Sequence, residues 1–172
     1  MNKLTLFFYI VVISVVQIGV FGIFRIGGAT PALVVLAVIW MSLNKSFKHA
    51  VVTAAIGGTF LDLYASTVFG ANLASLVLLA WLLNFVTRKF IPKEGALLTV
   101  SLTVLAIILV RFFSYFFNSV ISYFPQVAYL PLGNYFDLGV IWKIFYTLIL
   151  LYPFELISQK IFSPFYETQK PF

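Results

Sequence analysis

Long apolar runs alternate with short polar interruptions along this chain, a pattern that predicts membrane-crossing helices. The first run, 4–24 (LTLFFYIVVISVVQIGVFGIF), lies between Lys3 and Arg25. It is longer than the apolar region of a signal peptide and no A-x-A-like cleavage site follows, so it reads as an uncleaved anchor. The second run, 31–43, opens with a helix-start signal, Thr30 as cap and Pro31 at the first helical position. It reaches only about 20 Å, so it must thin the bilayer, extend through 26–28 or be shielded by its neighbours.

The third run, 50–68, carries Asp62 in its interior, and Phe69-Gly70 turns the chain tightly into a fourth, 71–86. The fifth, 95–117, contains Arg111, and the last, 138–157, contains Lys143 and Pro153. Between these two, 118–136 holds Pro, Gly, Asn and many aromatics without a charge, which suggests an outer interfacial segment. The expected fold is an all-α integral membrane protein, one domain over 1–172, in which six transmembrane helices form a compact bundle and the second is short.

The basic residues predict the orientation. One set of loops and ends holds Lys3, Lys45, Lys48, Arg88, Lys89, Lys93, Lys160 and Lys170, whereas the opposite set holds only Arg25. By the positive-inside rule both termini are cytoplasmic, which agrees with an even number of spans.

Composition narrows the function. The chain is 62% hydrophobic and 9% charged over 172 residues, too apolar for a soluble core of that size and too short for an added soluble domain. Its net charge of +6 is scattered singly, so no nucleic-acid-binding stripe exists. No Cys is present, His49 is the single His, and GxSxG, GxxxxGK[ST] and HExxH are all missing. Asp62 has no second carboxylate with which to divide acid and base roles. The chain therefore reads as a non-enzyme without a catalytic, cofactor or metal site.

Asp62, Arg111, Lys143 and Glu155 are the ionisable residues inside apolar runs, and each is costly there. At 1.5 Å per residue, Asp62 lies about 18 Å, Arg111 about 24 Å and Lys143 about 22 Å from the cytoplasmic side. Equal depth predicts a cluster in which Asp62 pairs with Arg111 or Lys143. A packing lock, snorkelling of the two cations and a ligand or proton-linked site all fit that cluster. Glu155 falls near the cytoplasmic edge and receives no role. Ala54, Gly58, Asp62 and Ser66 recur every four residues and share one helix face, with Gly70 and Ala71 at the following turn. Small residues on such a face permit close helix approach.

The runs TPALVVLAVIWMSL and AAIGGTFLDLYASTVFGANLASLVLLAWLL resemble the central region of the rod shape-determining protein MreD family. The likeness rests on Pro31, on Gly58 with Asp62-Leu63, and on Phe69-Gly70-Ala71-Asn72, within about residues 30–85. Ala32 departs from the acidic residue often found after that Pro in the family. The resemblance implies a non-enzymatic scaffold in the bacterial plasma membrane that directs lateral peptidoglycan synthesis and maintains rod shape. Its implied partners are MreC above all, the MreB filament, and RodA with its class B transpeptidase. The layout is also similar to the substrate-capture subunits of energy-coupling-factor vitamin transporters, which leaves a small-molecule membrane binder as the alternative.

Overall fold

The computed structural model describes residues 3–25, 27–65, 69–90, 96–121 and 138–162. Among these residues the chain forms six helices. The first, α1, joins an α-helical stretch Lys3–Val15, a π-helical turn Val16–Val20 and a last α turn Phe21–Ile23. Then follow α2 (Leu33–Asn44), α3 (Phe47–Tyr64), α4 (Ala71–Phe90), α5 (Ala96–Ile121) and α6 (Leu138–Phe162). Three segments are long and apolar enough to cross a membrane: Leu4–Ile23, Leu97–Val120 and Leu138–Phe162. Leu33–Asn44 and Ala71–Thr87 are shorter apolar helices.

The centre of the bundle is α2. Every residue from Leu33 to Met41 is buried, because α1, α3, α4, α5 and α6 all pack against this one short helix. A helix that is apolar all round belongs inside other helices. Of the three ways to accommodate its length, shielding by neighbours is the one observed. Its start differs from the expected Thr30-Pro31 signal: the first helical residue is Leu33, and the preceding Ala32 offers no capping side chain. Other helices supply the cap instead, as described below.

Next to α2 lies α3, which also packs on α1 and α4. Two adjacent glycines make this possible. A Cβ on Gly57 would come within 2.5 Å of Val34 Cγ1 on α2, and a Cβ on Gly58 within 2.5 Å of Leu73 Cα on α4. Neighbouring positions point about 100° apart around a helix, so the pair opens two faces at once. Gly70, with φ of +95°, turns the chain into α4 in a conformation that a side chain would oppose.

The helices outrun several expected bounds. The fifth continues to Ile121 and so takes in 118–121 of the expected interfacial segment; 122–137 lie outside the described residues. Pro153 does not end α6, which runs on to Phe162. That extension matters for closure. Phe162 is fully buried, stacks on Trp40 at 5.3 Å and meets Tyr9 edge-on at 5.0 Å, while the Tyr9 hydroxyl bonds to Ser158 at 2.6 Å. One end of the bundle is thus tied across α1, α2 and α6; the opposite end carries the α3–α4 turn.

Candidate functional site

Polar contacts between helices gather toward the turn end, and two of them solve the same problem. The first N–H groups of a helix have no partner within it, and in an apolar interior each unmet donor is expensive. For α2, Gln17 Oε1 accepts from the Val34 N–H at 2.8 Å. Thr147 Oγ1 accepts from the Ala32 N–H at 3.0 Å while donating to Lys143 O at 2.6 Å. The π turn of α1 holds Gln17 buried, consistent with the appearance of such turns where a side chain has a special task.

For α4 the cap is Asp62. Its Oδ1 accepts from the Asn72 N–H and from Asn72 Nδ2, and its Oδ2 from the Leu73 N–H, each at 3.0 Å. A carboxylate at a helix N-terminus gains from both the donors and the helix dipole. Both oxygens are therefore engaged within the α3–α4 hairpin, and among the described residues Asp62 makes no ion pair with Arg111 or Lys143. The carboxylate faces α4, a direction that height along a helix does not reveal.

Arg111 and Lys143 stand on α5 and α6 respectively. The two helices pack against each other. Both side chains are partly exposed. Lys143 stands one turn from Thr147 and hence beside the start of α2. Glu155 is farther along α6, where its carboxylate accepts from Gln159 Nε2 at 3.4 Å.

The small-residue face is split by role. Ala54 is fully buried, Gly58 touches α4 and Ala71 is buried at the first position of α4. Ser66 lies outside the described residues. Of the motif residues, Pro31 is buried just before α2, Asn72 serves the Asp62 cap, and Leu63 is exposed. A further polar contact, Ser75 to Ser114 at 3.2 Å, joins α4 to α5.

Gln17, Thr147, Tyr9 and Ser158 were not singled out from the sequence. Gln17 did carry a signal, since it is the single amide in a 21-residue apolar run. Thr147 carried none, because a threonine mid-helix usually bonds to its own preceding turn.

Compared with protein-family models, with curated proteins and with solved structures, the chain finds no match.

Proposed function

We propose that this chain is a multi-pass bacterial plasma-membrane protein with six spans and cytoplasmic termini, and that it acts as a non-enzymatic scaffold. The observation that carries the reading is the filling of the bundle centre by α2, a helix of the chain itself. Space that a substrate-capture protein would keep for its ligand is taken up by Leu33–Met41, leaving outward helix faces as the surfaces for other membrane helices. Exposed Leu4, Phe8, Val12, Ile149 and Leu156 supply such faces on α1 and α6.

The resemblance around Pro31, Gly58, Asp62 and Asn72 supports placing this scaffold in the elongation machinery, with MreC as first partner and MreB, RodA and the class B transpeptidase in the same complex. The uneven distribution of Lys and Arg supports the orientation. Half-spans and full spans combine naturally in this proposal, because a short central helix never needs to meet lipid along its length.

The test is depletion in cells combined with a crosslinking pull-down. Rounded cells and recovery of MreC are expected. Rods that keep their shape but require a supplemented vitamin would overturn the scaffold in favour of a transporter subunit.

A further inference from the structure

The last helix lies at the edge of the bundle. Of the three long apolar segments, Leu138–Phe162 is the least buried, at 11% of its most apolar stretch against 22% for Leu97–Val120 and 33% for Leu4–Ile23. Its inner side is set by Val140, Thr147 and Ser158, all buried. On the side away from these, Leu138, Trp142, Phe145, Ile149, Tyr152 and Leu156 are all exposed. Their spacing alternates four and three residues, the seam by which one helix sets its side chains into the holes of another. An apolar outer face by itself suits lipid equally well, so the polar groups on it decide.

Tyr152 is the first of these. It lies 14 residues beyond Leu138, about 21 Å into a hydrocarbon layer of about 30 Å, whereas tyrosine favours the membrane–water boundary. Side chains on a helix lean toward its N-terminus, so this ring carries its hydroxyl further inward, back over the turn of Ile149. Tyr152 is 68% exposed and, among the described residues, makes no hydrogen bond. The second group is the Ile149 carbonyl. Pro153, four residues on, has no N–H to give it, and in lipid a carbonyl freed by proline is met by a neighbouring helix. One face therefore carries, at one height, a hydroxyl without an acceptor and a carbonyl deprived of its usual donor.

We propose that α6 pairs with the α6 of a second copy of this chain, the Tyr152 hydroxyl of each copy donating to the Ile149 carbonyl of the other. All copies insert in the same orientation, so the pair is parallel with its twofold axis along the membrane normal, and the hydrogen bond forms twice by symmetry. A helix of unrelated sequence would have to bring its own acceptor and donor at that height, whereas a second copy brings both. The alternating spacing sets a shallow crossing of about 20°, which keeps Trp142, Phe145 and Leu156 in contact along the seam. The proposal rests on α6 spanning the membrane and needs none of the partners named above.

Because the chain has no Cys, single cysteines report the pairing in the full chain. Leu156 and Ile157 are adjacent and both exposed, but only Leu156 belongs to the seam. In liposomes of phosphatidylethanolamine and phosphatidylglycerol, mild oxidation is expected to link Leu156→Cys into a disulfide dimer and to leave Ile157→Cys monomeric. Tyr152→Phe in the Leu156→Cys chain removes both hydrogen bonds, each worth about threefold in a membrane, and is expected to shift dimer formation to about tenfold higher protein density. No dimer at Leu156→Cys, equal dimer at both positions, or an unchanged density dependence with Tyr152→Phe overturns the proposal. In cell membranes, capture of a different protein at Leu156→Cys in place of a second copy overturns it in favour of another chain's helix. A chain that an alkaline wash removes from membranes overturns the spanning reading together with the pairing, whereas a retained chain without a dimer overturns the pairing alone.

Discussion

The side chain of Gln17 accepts the backbone N–H of Val34, joining the π turn of α1 to the start of the buried helix at the centre of the bundle. No water reaches such a helix start from within a lipid-embedded bundle, so the acceptor has to come from another helix. Replacing Gln17 by Leu keeps the volume and removes the acceptor. We expect a loss of about 1–3 kcal/mol, the cost of a stranded buried donor, seen as a lower melting temperature in detergent. Gln17→Glu retains an acceptor and is expected to lose less when assayed at a pH where the acid is ionised.

Asp62 gives a sharper contrast. Asp62→Leu strands the N–H groups of Asn72 and Leu73, at about 1–3 kcal/mol each, whereas Asp62→Asn keeps one oxygen acceptor and is the milder change. Exchanging charges through Asp62→Arg with Arg111→Asp is expected to restore nothing, because the carboxylate serves α4. Recovery of melting temperature or membrane abundance in that double variant would show an ion pair after all.

Glycines test the close approach. Gly58→Ala forces a methyl into Leu73 backbone and is expected to destabilise by about 1–3 kcal/mol. Gly57→Ala meets the tip of Val34 and is expected to be partly relieved by Val34→Ala. By contrast, Gly22 has open space around it, so Gly22→Ala should be neutral or slightly stabilising. Thermal unfolding of the set, measured in one detergent, checks the order.

The bond between Tyr9 and Ser158 ties the first helix to the last. Tyr9→Phe should cost about 1 kcal/mol, and a double-mutant cycle with Ser158→Ala should show coupling of similar size. Additive effects would mean that the two hydroxyls contribute separately.

Much of the helix pattern was legible in the sequence. The apolar runs around 4–24, 95–117 and 138–157 correspond to the three long helices, since nothing but a helix satisfies its own backbone over such a length in lipid. The turn at Gly70 and the nearness of Gly58 to α4 also follow from local spacing. The partners of Asp62 did not. Rise per residue gives the height of a side chain along the bundle, but leaves its direction around the helix axis and the identity of the neighbouring helix open.

Sequence by itself determined where the apolar helices lie, that Gly58 and Asp62 share a helix face, and that few charges enter the apolar runs. Only the tertiary structure decided that the short helix is central, that Gln17 and Thr147 complete its N-terminus, and that Asp62 caps α4. The reason is physical: helix formation depends on residues within a few positions of one another, whereas Gln17 meets Val34, and Thr147 meets Ala32, only after separate helices have packed side by side.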